Sequence, residues 1–182
     1  MAERLLKSLA FTLAVFFILS ITPLETVAEL LAAVVIHEFG HIVALLLMGL
    51  HIKGLYVEPS GLRITYVGQS STLMDILAAL AGPLAGLMYS GILFGINTYS
   101  LSAEISMVYS FFNLLPIMPL DGGRALQALF SKSFEPEKGE GILLRISLAF
   151  SLVLAGLGLA AMLAGEGGGL FAAGIWLLLM QS

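Results

Sequence analysis

The sequence predicts an all-α polytopic membrane protein of about six transmembrane helices, with one small β-hairpin between the second and third. Hydrophobic residues make up 59% of the 182 residues and charged residues only 11%, whereas a soluble domain usually carries about 25% charged residues. The apolar residues are gathered into long segments, and one stretch between them has short β-branched and aromatic runs around a turn. We therefore expect residues 1–182 to form a single membrane-embedded domain.

The first two apolar segments are long enough to cross a bilayer. Residues 9–24 follow Arg4 and Lys7 and form an apolar run longer than the ~7–15-residue apolar region of a cleavable signal peptide, so we interpret them as a transmembrane helix. Residues 27–50 form a second helix, which at 1.5 Å per residue spans a hydrocarbon core of about 30 Å.

Residues 52–67 predict a β-hairpin, because two short runs rich in β-branched and aromatic residues flank a Glu-Pro-Ser-Gly turn. An isolated two-stranded hairpin is marginally stable in water. We therefore expect this hairpin to lean on the helices or on the membrane surface.

The third predicted helix, residues 73–96, carries small residues at a spacing of four. Such a stripe lets two membrane helices approach closely, so a packing seam with a kink at Pro83 is the favoured interpretation. The stripe consists of Ala78, Gly82, Gly86 and Ser90.

The fourth segment, residues 105–120, is interrupted by Asn113, Pro116 and Pro119. A regular helix cannot run through both prolines unstrained, so we expect the backbone to break there. Residues 121–145 are the most polar part of the chain.

Two further apolar segments follow, at 141–163 and at 170–180, and a glycine-rich turn joins them. If six segments cross and the N-terminus is cytoplasmic, every basic residue falls on the cytoplasmic side, as the positive-inside rule requires. The other side then keeps only Glu25, Glu29, Glu104 and Glu166. The basic residues are Arg4, Lys7, Lys53, Arg63, Arg124, Lys132, Lys138 and Arg145.

A His-Glu-x-x-His run lies inside the second segment. On a helix, His37 and His41 leave the same face about one turn apart and can bind one Zn²⁺, and Glu38 between them is placed as a general base. The chain has no cysteine, so every protein ligand must be nitrogen or oxygen. The net charge of −4 and the lack of a basic run argue against a nucleic-acid partner.

Catalytic zinc usually has three protein ligands, and three residues are candidates for the third position. His51 is about 15 Å from His41 along the helix and is expected on the surface. Asp75 has the simpler role of an acidic residue in a first helical turn. Asp121 either turns back towards the histidines or caps the stretch after it, and spacing alone does not decide between these roles.

Together, two motifs resemble the site-2 protease family of intramembrane zinc metalloproteases. The first is His37-Glu-Phe-Gly-His41, and the second is Asn113-Leu-Leu-Pro-Ile-Met-Pro-Leu-Asp121-Gly-Gly-Arg124. The layout of segments is similar to the branch that includes the sporulation protease acting on a membrane-tethered pro-sigma factor. PDZ and nucleotide-sensing CBS domains, found in many relatives, are not expected here.

The resemblance implies a zinc metalloendopeptidase with one Zn²⁺ per chain, held by His37, His41 and Asp121, with Glu38 as general base. Asn113 would hold the substrate backbone or the developing oxyanion. The implied substrate is a single-pass or membrane-tethered protein, such as a pro-sigma or anti-sigma factor. Inhibitory or regulatory membrane proteins are further candidate partners.

The expected location is the bacterial cytoplasmic membrane. Because the distribution of basic residues places Asp121 on the cytoplasmic side, we expect the active site to open to the cytoplasm and the substrate to be cleaved near that side. A polytopic metal-ion transporter is the alternative function, but it needs ligands strung along a pore. A catalytically silent scaffold is a third, and Glu38 beside both histidines argues against it.

Overall fold

The computed structural model describes residues 22–58, 61–97 and 100–181. The predicted first helix at 9–24 lies almost entirely outside the described residues. In chain order the elements are α1 (Leu24–Leu47), β1 (His51–Glu58), β2 (Gly61–Val67), α2 (Thr72–Ile96), α3 (Leu101–Asn113), α4 (Asp121–Ser133), α5 (Pro136–Leu163) and α6 (Gly169–Met180). The predicted fold class, mainly helical with one hairpin between the second and third predicted helices, is confirmed.

Three of these helices are long and apolar enough to cross a membrane, namely α1, α2 and α5. The helices α3 and α6 have 13 and 12 residues, about 20 and 18 Å of helical rise, which is short of a hydrocarbon core of about 30 Å. The predicted count of six crossings therefore stays a prediction.

The surface of the helices is apolar and part of the interior is polar. Val35 and Phe39 on α1 are 64% and 62% exposed, while Ser106 on α3 and Ser147 on α5 are fully buried. Apolar surface on this scale is unfavourable in water but suits hydrocarbon, and small hydroxyl residues allow close contact between membrane helices. The chain is an integral membrane protein.

The helices α2 and α3 run antiparallel and share hydrogen bonds from buried serines. Ser90 Oγ donates to the Ala103 carbonyl at 2.7 Å, and Ser106 Oγ donates to the Gly86 carbonyl at 3.0 Å. The predicted packing seam on α2 is confirmed, because Gly82, Gly86 and Ser90 are all buried.

The hairpin leans on α2, as predicted. Its two strands pair antiparallel with an irregularity between Ile52 and Gly54, and the Tyr66 hydroxyl on β2 donates to Asp75 Oδ1 at 3.0 Å. Burial and this hydrogen bond raise the pKa of the Tyr66 phenol, so it stays a protonated donor at neutral pH. Asp75 lies in the first turn of α2, as expected.

The predicted break in the fourth segment is confirmed, since α3 ends at Asn113 and the next helix begins only at Asp121. The region after the break is more helical than the sequence indicated. Residues 121–133 form the helix α4, and α5 begins at Pro136 rather than at residue 141. Proline at the first turn of α5 explains this earlier start, because its missing N–H has no partner to lose there.

Candidate metal centre

Three buried side chains from two helices meet between α1 and α4. His37 and His41 lie one turn apart on α1 and are 2% and 8% exposed, and Asp121, the first residue of α4, is 4% exposed. Asp121 does not cap its own helix, because the N-cap position belongs to Leu120 and has no side-chain hydrogen bond. The Asp121 carboxylate faces the histidines, which is one of the two roles that the spacing of Asp121 in the sequence left open.

The three ligand-type atoms form a small triangle. Asp121 Oδ2 lies 2.9 Å from His37 Nε2 and 3.3 Å from His41 Nε2, and the two Nε2 atoms are 3.2 Å apart. The three residues are the one group of at least three His, Asp or Glu side chains that meets the geometry of a metal site within residues 22–58, 61–97 and 100–181.

A backbone carbonyl fixes the tautomer of His41. Its Nδ1 lies 2.7 Å from the Ala78 carbonyl oxygen on α2. Because a carbonyl only accepts, Nδ1 carries the hydrogen, and in the neutral imidazole the lone pair of Nε2 therefore points at Asp121. The Gly82 backbone makes room for this ring, since a Cβ at Gly82 would overlap His41 Nε2.

The residues present fit a zinc ion. Zn–N and Zn–O bonds of about 2.0–2.1 Å place two ligands of a tetrahedral site about 3.3 Å apart, close to the distances of 2.9 to 3.3 Å in the triangle. Neutral His41 and ionised Asp121 both direct lone pairs at the same point, which is unfavourable unless a proton or a cation lies between them.

One residue on α3 borders the histidines, and the predicted Asn113 follows it one turn later. The ring of Tyr109 makes an edge contact with His37, with centroids 5.0 Å apart. One turn later, Asn113 Nδ2 donates to the Tyr109 carbonyl at 2.9 Å and is 8% exposed. Asn113 is therefore a buried side chain at the last residue of α3 that hydrogen-bonds to its own helix, and it is not one of the three members of the triangle.

Two charged side chains flank the triangle. Glu38 is partly buried and lies within electrostatic range of His37, His41 and Asp121. Arg124 Nη1 is 3.6 Å from Asp121 Oδ1, the oxygen that does not face the histidines. The two oxygens of Asp121 are thus divided between the cation on its own helix and the imidazole nitrogens.

A cavity of about 570 Å³ opens from the triangle between the hairpin, α2 and α4. Ile64 and Tyr66 of β2 line one wall, and Gln127 and Ser131 of α4 line the other. His41 is six residues, about 9 Å of helical rise, from the hairpin end of α1. The site therefore lies nearer to the hairpin end of α1 than to its other end, and the cavity borders it on that side.

Sequence reasoning missed three of the groups around the site: Arg124, Tyr109 and the Ala78 carbonyl. Arg124 was named as a basic residue of the cytoplasmic side and as the last residue of the second motif but was given no role at the site, although its spacing of three from Asp121 on a helix was a usable signal. His51 is exposed, as expected for a surface histidine.

The sequence profile of the M50B-like peptidases matches residues 9–120, which is more than half of the chain. The chain belongs to the M50 peptidase family. The profile of peptidase family M50 also matches residues 96–154, and the resemblance to site-2 proteases is confirmed.

Three individual relatives each match more than two thirds of this chain. Stage IV sporulation protein FB of Bacillus subtilis is 32% identical over 135 residues, covering 69% of this chain and 47% of that protein. A zinc metalloprotease of Methanocaldococcus jannaschii is 29% identical over 144 residues, covering 73% and 42%. The putative zinc metalloprotease Rip3 of Mycobacterium tuberculosis is 30% identical over 166 residues, covering 81% and 41%.

The fold has a solved counterpart. The structure of the site-2 protease from Methanocaldococcus jannaschii matches with a TM-score of 0.71 over 97% of this chain and 86% of that one, at 20% identity. This likeness shows a shared fold. The M50 peptidase described here spans about half the length of the curated relatives it matches.

Proposed function

We propose that this M50 peptidase is an intramembrane zinc metalloprotease in which His37, His41 and Asp121 hold the metal. The observation that carries the proposal is the triangle of Nε2, Nε2 and Oδ2 atoms, buried between membrane helices yet bordering a cavity of about 570 Å³. A transporter would need ligands along a path, whereas the described part of the chain has one group of three or more such side chains close enough to hold a metal.

Zn²⁺ at this site supplies Lewis-acid chemistry: it lowers the pKa of a water molecule to about 7 and polarises a peptide carbonyl. The Glu38 carboxylate accepts a proton from the attacking water and then delivers it to the amide nitrogen of the leaving segment. Ala78 keeps the proton of His41 on Nδ1, away from the metal side.

Asn113 is proposed to hold the substrate carbonyl oxygen. Its Nδ2 carries two hydrogens, and the hydrogen bond to the Tyr109 carbonyl uses one of them. The second hydrogen can stabilise negative charge on the substrate oxygen.

The hairpin is proposed to extend the substrate as a strand beside β2. Within the described residues the sheet has two strands, so β2 has one unpaired edge, and its residues Ile64 and Tyr66 line the cavity. Strand addition would unwind a helical substrate and expose its peptide bond. If replacing residues 62–67 by a flexible linker leaves the cleavage rate unchanged, this role for the hairpin is wrong.

The proposed substrate is a membrane-tethered protein, such as a pro-sigma or anti-sigma factor, cut near the cytoplasmic side of a bacterial membrane. In the antiparallel bundle, Lys53, Lys132 and Lys138 lie at the end where α1 stops and α2 begins, and Glu104 and Glu166 lie at the opposite end. By the positive-inside rule the basic end, where the cavity opens, faces the cytoplasm.

The orientation can be tested with single cysteines, since the chain has none of its own. A membrane-impermeant maleimide added to intact cells should label Glu166→Cys and leave Lys132→Cys unlabelled, because both side chains are exposed but at opposite ends. Labelling of Lys132→Cys in intact cells would reverse the assignment.

The catalytic proposal is tested by Glu38→Gln, with Glu25→Gln as the matched control on the same helix. Membranes carrying isotope-labelled single-pass proteins should yield new chain ends within or near membrane segments with wild type and the control, and none with Glu38→Gln. Zinc content should be equal in all three proteins. If Glu38→Gln cleaved as fast as wild type, Glu38 would not be the general base. If Glu38→Gln instead changed the flux of zinc into vesicles relative to wild type, a transporter would be favoured.

A further inference from the structure

The connection at residues 114–120 carries Asp121, and four of its backbone N–H groups are satisfied close by. Pro116 and Pro119 have no N–H, so five of the seven residues carry one. The Leu114 N–H is shared between the Ser110 and Phe111 carbonyls, and the other three N–H groups donate from Leu115 to Phe112, from Ile117 to Leu115 and from Leu120 to Ile117, all at 2.8 to 3.2 Å.

The fifth N–H belongs to Met118, and its partner comes from a distant helix. Met118 N donates to Ser147 Oγ on α5 at 3.0 Å, and Ser147 is fully buried. In a nonpolar interior an unpaired backbone N–H is strongly unfavourable, so this hydroxyl completes the hydrogen bonding of the connection.

The connection has little freedom to shift without moving Asp121. A Cβ at Gly123 would lie 2.5 Å from the Ile117 carbonyl oxygen, and one at Gly122 would lie 2.5 Å from the Leu115 carbonyl oxygen. The first turn of α4 is thus packed directly onto the backbone of the connection. A displacement at Met118 is therefore passed on to the carboxylate three residues later.

We propose that Ser147 is a positioning residue for Asp121, acting through the Met118 N–H. This inference rests on the proposed ligand role of Asp121. Without the Ser147 hydroxyl, the connection in the metal-free protein shifts so that the Met118 N–H meets another acceptor. Zinc binding must then restore the original position of the connection. The affinity for zinc falls while the ligands themselves are unchanged.

The decisive comparison is Ser147→Ala against Ser151→Ala. Both serines are fully buried on the same face of α5, but Ser151 Oγ, one turn further along, accepts from Gln181 Nε2 at 2.9 Å instead of from the Met118 N–H. With full-length protein in lipid nanodiscs and a chelator competing for Zn²⁺, Ser147→Ala should bind zinc about tenfold more weakly than wild type. Ser151→Ala should bind zinc as wild type does.

Equal zinc affinity in the two variants overturns the inference and leaves the proposed metal site standing. A wild-type protein that binds no zinc, or an Asp121→Asn variant that binds it unchanged, refutes the proposed site and the inference with it.

A second measurement decides the matter if Ser147→Ala does not fold. Hydrogen exchange at the Met118 amide of wild type should be slow, and Ser147→Thr, which keeps the hydroxyl, should retain near-native zinc affinity. Fast exchange at Met118 in the folded wild type would show that the Ser147 bond is not formed and would overturn the inference.

Discussion

Gly82→Ala tests whether the close approach of α2 to α1 sets the metal site. A methyl group at Gly82 would lie 2.6 Å from Cε1 and 2.7 Å from Cδ2 of the His41 ring, whereas ordinary contact begins at 3.4 Å. The ring or the helix must therefore move by at least about 0.8 Å, because Nε2 of the ring would be closer still to the new methyl. Such a shift disturbs both the Nε2 position and the Nδ1 bond to Ala78, so we expect zinc affinity to fall about 10- to 100-fold.

Gly91→Ala is the matched control on the same helix, since a Cβ at Gly91 meets nothing within 4 Å. Replacing glycine by alanine in a helix interior stabilises the helix by about 1 kcal/mol. Gly91→Ala should therefore keep wild-type zinc affinity and unfold at a slightly higher temperature. Gly86→Ala should fall between the two, because its new methyl meets the movable Ser110 side chain. Chelator competition on the purified variants gives the affinities, and equal zinc affinity for Gly82→Ala and Gly91→Ala would refute the reasoning.

Three further changes have defined outcomes. Asp121→Asn should lower the zinc affinity at least 100-fold in the same chelator assay, because a neutral amide replaces an anionic ligand, and tight binding would exclude Asp121 as a ligand. Arg124→Gln should weaken zinc binding about 10-fold by freeing Asp121 Oδ1, with Lys132→Gln, exposed on the same helix, as its control. Tyr66→Phe should speed backbone hydrogen exchange in β2 by about 5-fold by removing a bond worth about 1 kcal/mol, and unchanged exchange would show that Asp75 does not hold the hairpin.

Much of the fold was predictable because its signals are local. Apolar runs defined α1 and α2, prolines at 116 and 119 marked the break after α3, and a turn between β-branched runs gave the hairpin. The helix α4 was missed as a separate element because its apolar residues are few, and its packing depends on Gly122 and Gly123 lying against carbonyl oxygens.

The centre of the site was predictable and its surroundings were not. A spacing of four on a helix brings His37 and His41 together whatever the rest of the chain does. By contrast, the spacing of Asp121 left two roles open, a metal ligand or a helix cap, until the family resemblance was considered. Backbone acceptors such as the Ala78 carbonyl leave no mark in the sequence, and the bond between Met118 and Ser147 depends on how α5 docks.

The most direct test of the central claim is X-ray absorption at the zinc edge of the purified M50 peptidase. The structure predicts one zinc per chain with two imidazole nitrogens and one carboxylate oxygen at about 2.0–2.1 Å, and loss of an imidazole contribution in His41→Ala. A protein that holds no stoichiometric zinc, or whose zinc environment is the same in His41→Ala, would contradict the assignment of His37, His41 and Asp121 as the metal centre.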